Sequence, residues 1–281
     1  MKILDSVYPD EKISDVRNNG FLELRAKEYP TWCPGCGYFG IHDAFLKACV
    51  KLKLKNEEIC SVSGIGCSGR FPVHLNVYGF HTLHGRSIPV ACGVKLANPA
   101  LKVFAIAGDG DSFGIGAGHL PHAARRNVDI TFILFDNSIY GLTKGQSSPL
   151  TPFAQKTNSH KSGNPDMPLN PVKIMLAYET TFVARGFAGD PEGLVSMIEK
   201  AVLHKGFSFI HVISPCVEFD KINYTWKRLK DTFTYVENEN HNPQDKLAAM
   251  AIAESQSNKL GVIYHNPDRH AYTGTLQIMK E

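Results

Sequence analysis

Gly108-Asp109-Gly110 interrupts a buried-type strand, and a second such strand ends at Asn137 after a spacer of 26 residues. No other feature constrains the chain as much. The run Leu101-Lys102-Val103-Phe104-Ala105-Ile106-Ala107 reads as a strand that breaks into Gly-Asp-Gly-Asp. Glycine-rich helical sequence is expected from Phe113 to Arg126, and Val128 to Phe135 reads as a strand closing on Asp136-Asn137. A right-handed crossover sets the C-terminal ends of both strands side by side, where open parallel sheets bind ligands. Asp109 offers a carboxylate, Asn137 an amide oxygen, and the loop beyond it a backbone carbonyl. Three such oxygens leave room on an octahedral Mg2+ for diphosphate oxygens and a water. Gly110 and its neighbouring amides can approach phosphates closely, helped by the N-terminus of the following helix.

A bare Gly-Asp-Gly is common in turns and says little alone. Strand, glycine turn, crossover helix, strand and terminal Asn together resemble the thiamine-diphosphate (ThDP) signature. With 281 residues, 43% of them hydrophobic, the chain can bury a substantial core. A net charge of +3 is spread along it without a Lys/Arg-rich run, so no nucleic-acid partner is expected. Its apolar stretches are strand-length, too short for a bilayer. Met1 to Gly20 is studded with charge and lacks the apolar centre of a signal peptide. The expectation is a cytoplasmic protein with no membrane partner, whose seven cysteines serve metal or redox chemistry rather than disulfides.

Residues 1–30 read as a polar N-terminal arm, 31–220 as the binding domain and 221–281 as a C-terminal extension packing on the core or a partner. A helix is expected over Tyr38 to Leu52, with Ile41, Phe45, Ala48 and Leu52 on one face. Ile59 to Ser63 reads as a strand, 85–97 as a helix, and the Pro/Ser/Asn/Thr-rich 147–171 as a long surface loop. Thr180 to Phe187 reads as a strand. Asp190-Pro191-Glu192 opens a helix reaching Lys205-Gly206, and Phe207 to Ser214 reads as the next strand. Asn242-Pro243 is expected to cap a last helix through Ala253. The alternation predicts an α/β fold with a doubly wound, mainly parallel sheet.

Trp32-Cys33-Pro34-Gly35-Cys36-Gly37 is a tight C-x-x-C, Cys67 sits in a glycine-rich turn after a strand, and Cys216 follows the last strand. Four thiolates at sheet-end turns suit a 4Fe–4S cluster. A four-cysteine zinc site takes the same ligands, though a small zinc module would bring its second cysteine pair closer in sequence. A thioredoxin-like redox pair is a third reading, without its usual context. Cys49, Cys60 and Cys92 are expected to be buried structural cysteines.

Three blocks together resemble the β subunit of 2-oxoacid:ferredoxin oxidoreductases: Trp32 to Gly37, Gly64-Ile65-Gly66-Cys67-Ser68, and Gly108 to Asp111 with Asp136 to Gln146. The resemblance covers residues 30–220. Tyr78 to Arg86 and the Leu142-Thr143-Lys144-Gly145-Gln146 run are most similar to the 2-oxoglutarate (2-oxoglutarate synthase) branch. The resemblance implies one 4Fe–4S cluster on Cys33, Cys36, Cys67 and Cys216, since the chain has no C-x-x-C-x-x-C run of the kind found in fused relatives. It implies Mg2+ on Asp109, Asn137 and the Ile139 carbonyl. It places ThDP contacts on Ile65, Gly66, Cys67, Ser68, Gly110, Asp111, Gly141 and Leu142, with His84 on phosphate.

The activity so implied is the CoA-dependent oxidative decarboxylation of a 2-oxoacid to acyl-CoA and CO2, or the reverse carboxylation. Single electrons pass through the cluster to ferredoxin. An alpha subunit is expected to carry the pyrimidine-binding domain, in a heterotetramer of two alpha and two beta. Arg70 and Lys144 are candidates for holding substrate carboxylates; His74, His81, His119 and His122 are expected to be ordinary hydrogen-bonded histidines. Pyruvate or a branched-chain oxoacid is the alternative substrate. The rival enzyme reading is a cluster-free ThDP decarboxylase or synthase. The reading from another class is a non-catalytic module with a structural zinc site, binding a partner through 147–171.

Overall fold

Alternation of apolar side chains along the strands decides the architecture. The computed structural model describes residues 20–221, 225–255 and 258–279. Phe104, Ile106, Ile133, Phe135, Ile210 and Val212 point into one core, with helices Tyr38–Lys51 and Pro191–Leu203 over them. Val103, Ala105, Ala107, Phe132, Leu134 and Phe209 point into a second, beneath helices Ser87–Ala97, Leu120–Arg126, Pro171–Ala177 and Lys246–Glu254. A sheet covered on both faces favours near-continuous apolar strands, and these strands are apolar at most positions. Phe104, Phe132, Phe135 and Phe209 are fully buried, each contributing about 1.5–3 kcal/mol of transfer free energy.

The main sheet contains β1 (Ile59–Ser63), β2 (Tyr78–His81), β3 (Lys102–Gly108) and β4 (Thr131–Asp136). A two-stranded antiparallel ribbon follows, β5 (Ile139–Tyr140) with β6 (Gln146–Ser147). The main sheet is completed by β7 (Phe182–Phe187), β8 (Ser208–Ile213), β9 (Thr234–Tyr235) and β10 (Lys259–His265). Its order is β2-β1-β3-β4-β8-β7-β10-β9, parallel except where β10 runs against β7. The expected mainly parallel, doubly wound fold is therefore present.

Several local expectations are corrected. The helix expected from Phe113 to Arg126 begins at Asp109, stops after Phe113, and resumes through a 3-10 turn (Ala117–His119) into Leu120–Arg126. Gly114 and Gly116 sit where a Cβ would press on the carbonyls of Gly110 and Asp111, so the chain breaks there. Residues 147–171 are the long loop expected, without a regular element between Ser147 and Pro171 and with many exposed side chains, but the loop is anchored. Leu150, Thr151, Gln155 and Asn164 are buried, and the segment's polar side chains bond backbone: Thr151 Oγ1 donates to the Ser138 carbonyl and Asn164 Nδ2 to that of Thr151. Composition hid a segment packed through hydrogen bonds rather than apolar contact.

The helix Pro191–Leu203 starts as expected, its cap Asp190 accepting from the Gly193 amide. The last long helix does not start at Asn242-Pro243. It is Lys246–Glu254, and Asp245 caps it by accepting from the amides of Leu247 and Ala248. Beyond residue 221, β10 is an integral strand and Ala249, Ala253 and Ile263 belong to the second core. Phe21 and Leu24, inside the expected arm, are buried in the first core; residues 1–19 of that arm lie outside the described residues.

Candidate active site

The chain leaves β1 for the sheet edge at β2, then returns to β3 on the other side of β1. That reversal opens a crevice at the carboxyl ends of β1 and β3, the place where open α/β sheets take ligands. A cavity of about 70 Å3 lies there. Its lining includes Ile65 to Ser68, His84, Asp109 to Asp111, Asn137, Ile139, Gly141 and Leu142, so the structure brings every expected cofactor and Mg2+ position together.

Asp109 is 2% exposed and receives a hydrogen bond from the Ser148 hydroxyl. Burial, and next the nearby Asp136 carboxylate, push its carboxyl well above the usual value of 3.8. Asn137 Oδ1 accepts from the Ile139 amide at 3.3 Å, closing the turn that carries both. Asp111 acts as a clamp. It accepts from the amides of Ile65 (3.2 Å) and Gly85 (2.7 Å) and pairs with His84 Nδ1 at 2.7 Å, tying the turns after β1 and β2 to the helix after β3. Gly110 is glycine for a reason the sequence does not show: a Cβ there would overlap the Tyr140 ring, whose hydroxyl donates to the Gly110 carbonyl at 3.0 Å. Gly66, at φ +79°, is a position where a Cβ would meet no atom within 4 Å.

A second cavity, about 290 Å3, adjoins the first and shares Tyr38, Cys67, Asn137, Gly141 and Leu142 with it. Cys33, Cys36, Cys67 and Cys216 all line it, from three distant segments. A Cβ on Gly141 would lie 3.6 Å from Cys67 Sγ and 3.8 Å from Cys216 Sγ. Cys36 is pushed up to about 12 by burial, with the Cys67, Cys216 and Cys33 thiols adding to it against an opposing backbone hydrogen bond. Cys67 is pushed up to about 11 by burial and then by Cys216 and Cys33, while Arg70 opposes. Trp32 Nε1 donates to the Cys67 carbonyl at 2.8 Å and Trp226 Nε1 to that of Gly35 at 2.9 Å, fixing both cysteine turns. Among the described residues no three His, Cys, Asp or Glu side chains converge to hold a single ion. Cys49 and Cys60 are buried away from this cavity, while Cys92 is partly exposed.

Arg70 and Lys144 line the cysteine cavity rather than the cofactor cavity, and Arg70 Nη1 donates to Thr31 Oγ1 at 2.9 Å. His74 departs from expectation: its ring is buried against Trp32 (centroids 4.9 Å apart), and neither ring nitrogen has a hydrogen-bond partner. Sequence reasoning missed Arg185, His211 and Asp136, three buried ionisable groups on neighbouring strands. A signal existed, because each interrupts an otherwise apolar buried strand.

Fold and site together define a ThDP-enzyme domain, and comparison with known proteins agrees: residues 64–212 match the family described as thiamine pyrophosphate enzyme, C-terminal TPP binding domain. Residues 216–281 match the family that describes the C-terminal part of the pyruvate ferredoxin oxidoreductase beta subunit. The chain is 38% identical to the 2-oxoacid:ferredoxin oxidoreductase 2 subunit beta of Aeropyrum pernix, over 92% of this chain and 87% of that one. It is 39% identical to the 2-oxoglutarate synthase subunit KorB of Archaeoglobus fulgidus, over 75% and 79%. Among solved structures it is similar to the 2-oxoglutarate:ferredoxin oxidoreductase of Magnetococcus marinus with 2-oxoglutarate, coenzyme A and succinyl-CoA bound. That similarity has a TM-score of 0.89 at 38% identity and covers 92% of this chain and 89% of that one. The chain belongs to the β subunits of 2-oxoacid:ferredoxin oxidoreductases. It is thus an oxidoreductase subunit that works with a partner subunit. No helix among its described residues is long and apolar enough to cross a membrane.

Proposed function

We propose that this chain is the diphosphate-anchoring and cluster-bearing subunit of a CoA-dependent 2-oxoglutarate:ferredoxin oxidoreductase. The observation that carries the reading is the shared wall: four cysteines line one cavity, and Cys67, Tyr38, Asn137, Gly141 and Leu142 separate it from the cofactor cavity. The residues fit the groups assigned to them. Asp109 is a buried carboxyl beside a second carboxylate, an arrangement that a divalent cation relieves. Cys216 and Cys33 raise the thiol pKa of both Cys36 and Cys67, and a coordinated metal deprotonates thiols outright. Four thiols from this chain line one cavity, a donor set that would hold a 4Fe–4S cluster and that a four-cysteine zinc site shares.

Bound here, ThDP supplies the nucleophilic carbon and electron sink for decarboxylation, and the cluster a one-electron outlet. The chain's own residues do the rest. Asp109, Asn137 and the Ile139 carbonyl hold Mg2+. The Ile65–Ser68 turn, Gly110, Asp111, Gly141 and Leu142 surround the diphosphate and thiazolium, and Asp111 orients His84 towards phosphate. The backbone of Phe219, Glu218 and Asp220 opposes the rise that burial gives the Cys216 thiol, and amides near a ligating sulfur would tune cluster potential. Arg70 and Lys144 bind the distal carboxylate of the oxoacid. The relatives' 2-oxoglutarate names and the ligands of the Magnetococcus marinus structure support 2-oxoglutarate over pyruvate. Seven free thiols suit the reducing cytoplasm, and we assign two alpha and two beta subunits with ferredoxin as acceptor.

Anaerobic purification of the co-expressed subunits tests this. The expected product is brown, with about four iron and four sulfide per β chain, and reduces ferredoxin with 2-oxoglutarate and CoA faster than with pyruvate. Colourless, zinc-loaded protein would overturn the cluster; a preference for pyruvate would overturn the substrate.

A further inference from the structure

The turn after β4 must present the Asn137 amide oxygen and the Ile139 carbonyl, and it does so through a strained residue. Ser138, between them, sits at φ +54°, a left-handed conformation that non-glycine residues keep only where surroundings enforce it. The enforcement comes from two neighbouring strands. Asp136 of β4 pairs in register with Ile213 of β8, and His211 lies two residues earlier on the same face. Arg185 of β7 is the direct register partner of His211.

The side chains form a continuous chain. Arg185 Nε–H donates to His211 Nδ1 at 3.4 Å, which leaves the imidazole proton on Nε2, and Nε2–H donates to Asp136 Oδ2 at 2.7 Å. The other carboxylate oxygen accepts from the Ser138 amide at 2.8 Å and from its hydroxyl at 3.0 Å. Arg185, His211 and Asp136 are 1%, 3% and 2% exposed. Taking such ions from water costs several kcal/mol each, and apolar residues of the same size are often at least as stabilising. Stability alone therefore does not account for three ionisable groups inside the sheet. Where the chain ends does: on the residues flanking Asn137.

We propose that Arg185, His211 and Asp136 form a positioning relay that holds the Asn137–Ile139 turn in its Mg2+-ligating geometry. The inference rests on the ThDP reading above. None of the three lines the cofactor cavity, so they act through the turn and not on the reacting atoms.

The test uses the assembled complex and measures Mg2+ affinity in the presence of ThDP by calorimetry, beside a urea-unfolding midpoint. His211→Leu is expected to weaken Mg2+ binding about 10–100-fold, the cost usual for removing a partner behind a metal ligand. His211→Gln keeps an amide donor for Asp136 and a carbonyl acceptor for Arg185, and should stay within about threefold of the parent. Parental affinity in His211→Leu, or an equal loss in both variants, overturns the relay. If His211→Leu fails to assemble, Ser138→Ala removes only the hydroxyl donor to Asp136 and should weaken Mg2+ binding about 2–10-fold; an unchanged affinity overturns the proposal. A parent complex that binds neither ThDP nor Mg2+ would instead sink the ThDP reading, and the relay with it.

Discussion

Asp109 carries a liability that only a cation removes. Its carboxyl is raised by burial and then by Asp136, so in the metal-free fold it keeps a proton that the unfolded chain releases near pH 3.8–3.9. Below that pH both states are protonated and the group has no effect. As pH rises from there through the folded pKa, stability falls, because the native state binds the extra proton. Asp109→Asn should therefore flatten the pH dependence of the metal-free melting temperature and raise that temperature at neutral pH. It should also weaken Mg2+-dependent ThDP binding at least about tenfold. Scanning calorimetry from about pH 4 to 8, without and with Mg2+, checks both parts; a neutral-pH destabilisation would reject the account. Arg70 gives a second test. Loss of a charge-assisted hydrogen bond is worth about 1.5–3 kcal/mol. Arg70→Ala should thus raise KM for 2-oxoglutarate roughly 10–150-fold while altering KM for a monocarboxylic oxoacid little, and an unchanged KM ends its role. At this scale the ligand residues were legible because the chemistry names them: carboxylate, amide and thiol at turns. Arg185, His211 and Asp136 showed only as polar residues on buried strands, and their linkage was hidden because it runs between strands whose register the sequence does not announce.

At the scale of elements, the helix opening at Asp109 is locked against the β5 strand by Gly110 and Tyr140. Gly110→Ala forces a methyl into the Tyr140 ring and should cost about 1–3 kcal/mol, the range for overpacking. Tyr140→Leu should recover part of that loss when combined with it, giving a favourable coupling in a double-mutant cycle read by urea unfolding. Strict additivity would show that the ring is not what excludes a side chain. The strands β1, β3, β4, β7 and β8 were readable because burial on both faces leaves runs that are apolar at most positions. Elements held by polar contacts were not. The 147–171 segment packs through Thr151 and Asn164, and Asn170 caps the helix Pro171–Ala177 by accepting from the Lys173 amide. β10 joins the sheet antiparallel to β7, a long-range pairing that no local pattern in 221–281 announces.

For the whole molecule, the decisive quantity is the size of the cofactor cavity. Pockets for ligands of this class measure about 300–1,000 Å3, and the cavity over Asp109 and Asn137 measures about 70 Å3. On the proposed ThDP reading, this chain would anchor one end of the cofactor and leave the remainder to the partner subunit. Leu83 and Ile115, 77% and 60% exposed, flank His84-Gly85 at the rim, as an interface apolar enough to be covered would. The isolated chain should therefore keep its fold and cluster yet bind ThDP at least about tenfold more weakly than the assembled enzyme, since the contacts the partner would supply are missing, and should show no turnover. Leu83→Asp should leave the isolated chain's stability within the narrow range of surface substitutions, about 0.5 kcal/mol, while reducing co-elution with the partner subunit in size-exclusion chromatography. Turnover by the purified chain alone, or undiminished assembly of Leu83→Asp, would show that the cavity is completed in some other way. The four-cysteine cavity behaves differently: all four of its thiols come from this chain, so iron content should survive separation from the partner even where ThDP binding does not.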